Sequence, residues 1–328
     1  MSGNDHKSSP LSQAPAALKR VPGVVAAVRK VRALRRKTLV ETLSRILKWA
    51  SRTPERRMLV FDALPKKLAL AHHERESYIV HTSDEVVGRS LYRRGQFDFQ
   101  KFEAAYHLLR LHGRFLPGEA LPVLIDVGAN VGSICIPAVK REYVQRSIAI
   151  EPDYENFQLL KANAALNGVD GRIDPRQVAV GARRGQVSLR RNQSNFGDHR
   201  VLTVPVEGTL TLPMVTVDEI AGELDLQRTI LWMDIQGFEG YALQGAQRFL
   251  DAGVPLICEF SPEELKSSGC FDIFLSMIAS SAYEIFYDLN ALKPDRYAAS
   301  LSDLQSLAAH LESNGNFTDI LLLPDTMK

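Results

Sequence analysis

The architecture of this chain is indicated most clearly by the stretch Asp126-Val127-Gly128-Ala129-Asn130-Val131-Gly132. It follows an apolar run over residues 121–125 and opens a stretch with helical spacing. A second apolar run, residues 147–150, ends at Glu151. This order of strand, glycine turn, helix, strand and carboxylate is typical of half a nucleotide-binding site. Glycines let the backbone approach a ligand closely, and a carboxylate can accept both hydrogen bonds of a ribose diol.

The glycine loop also discriminates between nucleotide cofactors. Dinucleotide enzymes carry Gly-x-Gly-x-x-Gly around a pyrophosphate, whereas here Gly128 and Gly132 are separated by three residues with Asn130 between them. Asp126 would repel phosphate but suits an aminium group. S-adenosylmethionine has a ribose and a charged amino acid end without any phosphate, so the loop favours it over NAD. A plain strand-turn-helix with no ligand is the alternative interpretation.

Composition limits the class of protein. The chain has 328 residues and 45% hydrophobic content, which fits a globular protein with one substantial core. No apolar run is long enough to span a bilayer and no signal-peptide pattern is present, so the sequence predicts a cytoplasmic protein. Cys135, Cys258 and Cys270 are expected to be reduced thiols, and no Cys/His spacing predicts a metal site.

The N-terminal segment is strongly basic. Residues 1–57 hold 14 Lys and Arg against 3 Asp and Glu, whereas the rest of the chain holds 26 against 35. Residues 1–15 are rich in Ser, Pro and Gln and are predicted to be disordered. Apolar residues recur at helical spacing across 22–50, which predicts a basic amphipathic helix. Such a helix could contact an anionic membrane peripherally or pack on the body of the protein. Nucleic acid is a weaker alternative because no aromatic residues are interleaved with the basic ones.

The rest of the chain divides into a lead-in region, residues 58–120, and a nucleotide-binding domain, residues 121–328. The lead-in pattern predicts strands at 78–81 and 86–88 and a helix over 97–112. From residue 121, strands alternate with helices, which predicts an α/β fold with a doubly wound, mostly parallel sheet of seven strands. Strands are expected near 122–127, 147–151, 176–180, 229–234, 255–260, 283–288 and 317–323, and helices near 132–142, 153–167, 238–251, 263–280 and 301–312. The less regular residues 181–228 are interpreted as an insertion that covers the substrate.

A second informative stretch, Asp234-Ile235-Gln236-Gly237-Phe238-Glu239, follows the apolar run over residues 229–233. In a doubly wound sheet the carboxyl end of this strand lies beside the glycine loop. Asp234 is therefore expected to face the same cleft as Gly128, with Glu239 at the start of the next helix. The alternative is that both carboxylates only cap that helix.

These stretches together resemble the FkbM family of S-adenosylmethionine-dependent methyltransferases. The resemblance covers about residues 83–323 and rests on residues 95–98, 125–132, 215–218, 234–239 and 243–246, and on Glu151-Pro152 with Asn156 and Asn163. It implies a Rossmann-like methyltransferase sheet that acts on hydroxyl groups of saccharides or secondary metabolites. The residues expected to bind S-adenosylmethionine are Asp126, Gly128, Asn130, Gly132, Glu151 and Asn156. The chain departs from the family at Trp232, where a lysine is common.

The expected reaction is O-methylation, in which an alcohol must lose its proton as the methyl group arrives. Asp234 is the first candidate for the group that aligns or deprotonates the acceptor. His199, inside the predicted insertion, is the second candidate, and Glu239 is the third. Because Trp232 replaces the lysine, a catalytically inactive cofactor-binding protein or a membrane-recruited adaptor is the alternative.

Overall fold

The computed structural model describes residues 30, 33, 36–42, 44–45, 53–65, 67–203, 206–291, 296–298 and 300–325. The chain forms two compact units, residues 1–60 and 61–328. Residues 36–42 are helical and exposed, and helix α1 spans Pro54–Ala63. The predicted disordered tip, 1–15, and most of the predicted amphipathic helix, 22–50, lie outside the described residues. Among the residues that are described, no helix has the length and apolar character that a bilayer crossing requires.

Within the described residues, the second unit is built on an eight-stranded sheet. Its strands are β3 (Val123–Val127), β4 (Arg146–Ile150), β5 (Ile173–Arg176), β10 (Thr229–Met233), β11 (Leu256–Phe260), β12 (Ile285–Asp288), β13 (Arg296–Ala298) and β14 (Thr318–Leu323). Their order across the sheet is β13-β12-β14-β11-β10-β3-β4-β5. Strands β5, β4, β3, β10 and β11 run parallel, and β14, β12 and β13 continue the sheet in antiparallel pairs. The predicted doubly wound, mostly parallel α/β sheet is confirmed, and the short edge strand β13 adds to the seven expected strands.

Helices cover both faces of this sheet because its central strands are apolar on both sides. The helices of the unit are α2 (Val87–Arg94), α3 (Phe99–Leu111), α4 (Cys135–Lys140), α5 (Tyr154–Leu166), α6 (Val217–Ala221), α7 (Glu239–Gln244), α8 (Gln247–Ala252), α9 (Pro262–Ser267), α10 (Phe271–Ala279) and α11 (Leu301–Ser313). Successive residues of a strand point to opposite faces. Trp232 therefore joins the core on the face of α3 and α4, whereas Met233 joins the core on the face of α8 and α10.

The lead-in region forms a hairpin that is attached to α5 by two asparagine side chains. Strands β1 (Leu68–His72) and β2 (Ser77–His81) pair antiparallel. Asn163 accepts from the amide of Ile79 at 2.6 Å and donates to the carbonyl oxygen of Ile79 at 3.2 Å. Asn167, one helical turn later, makes the same pair of bonds with Ser77 at 3.1 and 2.7 Å. These amides occupy backbone groups of β2 that would otherwise bind a neighbouring strand.

The region predicted as an insertion, residues 181–228, contributes to a separate four-stranded sheet. The order of this sheet is β6-β9-β7-β8. Its strands are β6 (Ala179–Val180), β7 (Gly185–Arg190), β8 (Arg200–Leu202) and β9 (Leu210–Val215). Residues 191–199, between β7 and β8, are called the cover segment below, because several of them line the cavity at the edge of the main sheet.

The strand predicted at residues 86–88 is wrong, because helix α2 begins at Val87. The carboxylate of Asp84 accepts hydrogen bonds from the amides of Val86, Val87 and Gly88 at 3.1, 3.2 and 2.8 Å. A carboxylate at this place satisfies the free amides of a first helical turn. Apolar residues alone could not distinguish this short helix from a strand.

Three of the longer predicted elements are interrupted. The strand predicted at 176–180 is divided between β5 and β6, which belong to different sheets. The helix predicted at 238–251 breaks at Gly245, where a Cβ would lie 2.2 Å from the carbonyl oxygen of Gly181. The helix predicted at 263–280 becomes α9 and α10, with a turn at Ser268–Cys270 between them.

Candidate cofactor and acceptor site

The two informative stretches meet where the strand order reverses. Gly128 follows β3 and Asp234 follows β10, and these parallel neighbours end at the same edge of the sheet. The amide of Asp234 donates to the carbonyl oxygen of Val127 at 3.0 Å. A Cβ on Gly128, which has a φ of 90°, would lie 1.9 Å from the carbonyl oxygen of Asp234. Gly128 is therefore required by the close approach of the loop after β10.

A cavity of about 360 Å³ opens at this edge, within the size range of ligand sites. Its walls divide into two groups of residues, which we call the β4 end and the β10 end. The β4 end comprises Gly128, Asn130, Ser133, Glu151, Pro152 and His199. The β10 end comprises Asp98, Trp232, Asp234, Gln236, Glu259 and Glu264. The site residues expected from the sequence that line the cavity are therefore Gly128, Asn130, Glu151, Asp234 and His199.

Glu151 is a buried, oriented hydrogen-bond acceptor. Its Oε2 accepts from the amide of Asn130 at 2.9 Å, and its Oε1 accepts from the amide of Asp153 at 2.8 Å. Burial is the largest influence on this carboxyl and raises its pKa to about 8. Each oxygen has a second lone pair that can accept from a ligand hydroxyl.

Asn130 connects the glycine loop to the cover segment. Its Nδ2 donates to the carbonyl oxygen of Phe196 at 3.2 Å, and Asn156 Nδ2 donates to the same oxygen at 2.9 Å. Asn130 is 8% exposed, and its Oδ1 has no hydrogen-bond partner within the described ranges. Asn156 does not line the cavity. Asn130 can therefore contact a ligand directly, whereas Asn156 positions the cover segment.

Asp126 and Gly132 shape the glycine loop without lining the cavity. Asp126 is fully buried, and its Oδ2 accepts from the amide of Cys135 at 3.1 Å, at the start of α4. Burial raises the pKa of this carboxyl to about 7. A Cβ on Gly132 would lie 2.4 Å from Ile136 Cδ1, so this glycine is required for packing.

Asp234 is the carboxylate best placed for proton transfer at the β10 end. Gln236 Nε2 donates to Asp234 Oδ1 at 2.7 Å and lies 3.4 Å from Glu259 Oε2. Burial raises the pKa of both carboxyls. The two carboxyls compete for one negative charge. The hydrogen bond from Gln236 and the charge of Lys101 favour the ionised form of Asp234, against burial and the charge of Asp98. Burial and the neighbouring carboxylates all raise the pKa of Glu259. We therefore assign the proton to Glu259 and the charge to Asp234.

Asp98 and Glu259 also line the cavity, although neither is among the site residues expected from the sequence; Asp98 was noted only within residues 95–98 of the family resemblance. Glu259 lies on β11, the next parallel strand after β10, so its place beside Asp234 depends on strand order. Asp98 stands at the N-cap position of α3 with a φ of 56°, and its side chain makes no capping hydrogen bond. Its carboxylate instead pairs with Lys101 Nζ at 3.1 Å.

The positive charge near Asp234 comes from α3 and not from β10. Trp232, which stands where the family commonly has lysine, packs with its ring 6.3 Å from that of Phe102. Lys101, adjacent to Phe102 in the sequence, pairs with Asp98 and with buried Asp319. The lysine lowers the pKa of Asp234 and so opposes the effect of burial.

The other two predicted catalytic residues have less suitable geometry. Glu239 is buried outside the cavity lining, and its Oε1 accepts from the amide of Ile235 at 2.9 Å, so it holds the turn before α7. His199 lines the cavity, but its Nδ1 accepts from the amide of Asn192 at 3.0 Å. The proton of a neutral ring then lies on Nε2, so neither nitrogen is free to accept a proton. Among the three candidates, only Asp234 combines a charge with exposure to the cavity.

No group of three or more His, Cys, Asp or Glu side chains within the described ranges is arranged to hold a metal ion.

The sheet, its glycine turn and the cavity at the strand reversal define a Rossmann-like nucleotide-binding domain. Residues 126–285 match the model of the methyltransferase FkbM domain, so this part of the chain belongs to that family. The family expected from the sequence is therefore confirmed for these residues. No curated protein sequence matches the chain.

Solved structures of methyltransferases are among those similar to this chain. The methyltransferase FkbM from Methylobacillus flagellatus KT is 17% identical, with a TM-score of 0.38, and the match covers 69% of this chain and 56% of that protein. An RNA methyltransferase from Salinibacter ruber, in complex with S-adenosyl-L-homocysteine, is 17% identical with a TM-score of 0.28. The match covers 48% of this chain and 74% of that protein. A precorrin-6y C5,15-methyltransferase from Geobacter metallireducens GS-15 is 10% identical with a TM-score of 0.35. The match covers 68% of this chain and 86% of that protein.

Proposed function

We propose that the chain is an S-adenosylmethionine-dependent O-methyltransferase that acts on a hydroxyl group of a saccharide or a secondary metabolite. The observation that carries this proposal is one cavity with two chemically different ends, inside an FkbM domain. The β4 end offers the hydrogen-bond acceptors Glu151 and Asn130, and the β10 end offers the carboxylate of Asp234.

The residues of the β4 end fit S-adenosylmethionine. Glu151 has both oxygens oriented by backbone amides and can accept from the two ribose hydroxyls. The unpartnered Oδ1 of Asn130 supplies a further acceptor. Asp126 is too deeply buried to meet the aminium group expected of it, and acts by holding the start of α4. When bound, S-adenosylmethionine supplies an activated methyl group.

At the β10 end, Asp234 would accept the proton of the acceptor hydroxyl while the hydroxyl oxygen takes the methyl group. The methyl group would leave the sulfur of bound S-adenosylmethionine, with S-adenosylhomocysteine as the second product. Its raised pKa makes it a stronger base than an exposed aspartate, and Lys101 favours its ionised form. Gln236 orients Asp234 by donating to its Oδ1 at 2.7 Å, and the lone pairs that remain on the carboxylate can accept from the acceptor hydroxyl. Trp232, which lines the same wall, excludes water from this part of the cavity.

A second cavity of about 300 Å³ adjoins the first. It favours an acceptor with several hydroxyl groups that is long enough to extend from the first cavity into the second. It shares Arg200, Glu264 and Phe317 with the first cavity, and is otherwise lined by Ser261, Glu263, Ser267, Gly315 and Asn316. Phe317 is 51% exposed. An exposed aromatic ring beside serine, amide and carboxylate groups suits the apolar face and the hydroxyls of a sugar.

Calorimetry and an acceptor screen test this function. Titration should show that the chain binds S-adenosylhomocysteine and does not bind NAD. A panel of saccharides and secondary-metabolite alcohols, incubated with S-adenosylmethionine, should contain an acceptor that releases S-adenosylhomocysteine. Binding without turnover on any acceptor would favour the cofactor-binding or adaptor alternative, and NAD binding without S-adenosylhomocysteine binding would exclude the methyltransferase.

A further inference from the structure

Two histidines pack against Phe196 of the cover segment, but they differ in their relation to the cavity. The ring centroids of His81 and His199 lie 4.8 and 5.7 Å from that of Phe196. His199 lines the cavity, whereas His81 does not. Three other residues of the cover segment, Asn195, Phe196 and Gly197, line the same cavity as His199. The cover segment therefore forms part of the ligand site.

His199 presents a hydrogen-bond donor that has no acceptor. Its Nδ1 accepts from the amide of Asn192, so a neutral ring carries its proton on Nε2. Burial lowers the pKa of the ring, which favours the neutral form. The side chain is 5% exposed, and Nε2 has no hydrogen-bond partner in the described part of the chain. A buried donor left unpaired is unfavourable, so a ligand atom that accepts from it would remove this cost.

The neighbours of His199 indicate which part of the cavity it lies in. Its Nε2 lies 4.0 Å from Asp153 Oδ2, which is too long for a hydrogen bond. That oxygen already lies 2.8 Å from Arg191 Nε. The amide of Asp153 donates to Glu151, the carboxylate that would hold the ribose. Within the β4 end of the cavity, His199 therefore lies near Glu151.

We infer that His199 is a cofactor-binding residue whose Nε2–H donates to an acceptor atom of the cofactor nucleoside, either a ribose oxygen or a purine nitrogen. The assignment rests on the proposed function and gives His199 a binding role in place of the catalytic one expected from the sequence. The cover segment then closes over the nucleoside through the contact of Phe196 with Asn130 and through His199 itself.

Calorimetric titration with adenosine and with S-adenosylhomocysteine tests the assignment, since adenosine contains only the nucleoside. His199→Phe keeps an aromatic ring but removes the donor, and should weaken binding of both ligands by the same factor, about tenfold. His199→Gln can both accept from Asn192 and donate to the ligand, and should recover most of the affinity. His81→Phe is the matched control, because it alters the other ring against Phe196, and should leave both affinities unchanged.

Each other outcome has a distinct meaning. Equal affinities for the unaltered chain and His199→Phe would leave His199 with a packing role. If His199→Phe lost S-adenosylhomocysteine binding but kept adenosine binding, His199 would contact the amino acid end of the cofactor. That result would contradict the assignment. Failure of the unaltered chain to bind S-adenosylhomocysteine would overturn the proposed function and this role together. If His199→Phe does not fold, His199→Gln against His199→Met provides the same comparison.

Discussion

At the scale of single residues, the site depends on carboxylates whose burial has different consequences. Asp234 faces the cavity, carries the charge of its pair with Glu259, and has one oxygen fixed by Gln236. Glu151 and Glu239 accept hydrogen bonds from backbone amides in the turns after β4 and β10. Under the proposed function, the same side-chain chemistry serves proton transfer at Asp234 and ligand binding at Glu151, whereas at Glu239 it holds a turn.

The role of Asp234 predicts a loss of rate without a loss of cofactor binding. Asp234→Asn keeps the acceptor for Gln236 but removes the base, and should lower turnover on an accepted substrate by about 10²-fold or more. S-adenosylhomocysteine affinity, measured by calorimetry, should change by less than about twofold. Glu239→Gln is the control and should retain turnover, because Glu239 does not line the cavity. Full activity of Asp234→Asn would mean that another group accepts the proton of the acceptor hydroxyl.

Gly128 and Gly118 allow a matched test of steric closeness, because both have a φ of 90°. A Cβ at position 128 would meet the Asp234 carbonyl oxygen at 1.9 Å, whereas nothing lies within 4 Å of one at position 118. Gly118→Ala should cost only backbone strain, about 1 kcal/mol, whereas Gly128→Ala should cost more than about 3 kcal/mol. Urea unfolding of both variants measures the difference. Equal costs would mean that the loop after β10 can move away from Gly128.

At the scale of elements, the sequence predicted the strands of the main sheet more accurately than it predicted where individual helices and strands begin and end. The glycine loop after β3 and the carboxylate after β4 were recognisable because they interrupt long apolar runs. The helix at Val87 was missed because its first turn depends on one carboxylate, Asp84, and not on periodicity. Asp98 and Glu259 were missed because their approach to Asp234 depends on how distant elements pack. Local pattern cannot supply such long-range neighbours.

The contact between β2 and α5 predicts a large cost for one asparagine. Asn163 Nδ2 donates to the carbonyl oxygens of Ile79 and Val131, and its Oδ1 accepts from the amide of Ile79. Asn163→Ala leaves these backbone groups without their partner and should lower the free energy of unfolding by about 2–4 kcal/mol. Asn314→Ala, at the exposed end of α11, is the control and should cost under about 1 kcal/mol. Urea unfolding measures the free energy of unfolding of both variants. An unchanged m-value for Asn163→Ala would indicate that the lost stability comes from the folded state.

At the scale of the whole molecule, the separation of charge motivates a proposal for the basic N-terminal segment. Leu39 and Val40 are 59% and 64% exposed on a helical stretch that also carries Arg36 and Lys37. Exposed apolar side chains with basic neighbours are suited to the surface of an anionic membrane. We propose that this segment attaches the protein peripherally to anionic lipid.

Sedimentation with vesicles tests the attachment on the full chain. Vesicles that contain phosphatidylserine should bind the chain at low salt, and phosphatidylcholine vesicles should not. Arg36→Gln with Lys37→Gln should weaken binding by about 2 kcal/mol, since each basic side chain near such a surface contributes about 1 kcal/mol. The matched control removes the same charge from exposed Lys161 and Arg172 and should bind as the unaltered chain does. Equal weakening by both double variants would indicate only a general effect of net charge.

Buried carboxyls in the second unit predict that the ligand-free chain becomes less stable as the pH rises. Burial raises the pKa of Asp126 to about 7 and that of Glu151 and Glu239 to about 8. The folded chain therefore binds more protons than the unfolded chain between the ordinary carboxyl pKa and these values. The stabilisation from each protonated carboxyl is complete below its unfolded pKa, 3.8 for Asp126 and 4.5 for Glu151 and Glu239. It is lost progressively as the pH rises to the folded pKa.

Glu239→Gln isolates one of these groups, because the amide can keep the acceptor for Ile235 and cannot titrate. Thermal unfolding between pH 5.5 and 8.5 is the measurement. The stability of the variant relative to the unaltered chain should increase by about 3 kcal/mol across that range, because a carboxyl with a pKa of about 8 loses its proton there at about 1.4 kcal/mol per pH unit. Glu223→Gln, at an exposed position, is the control and should follow the unaltered chain at every pH. Parallel curves for Glu239→Gln and the unaltered chain would show that Glu239 is ionised throughout, with its charge compensated by the amides of the turn before α7.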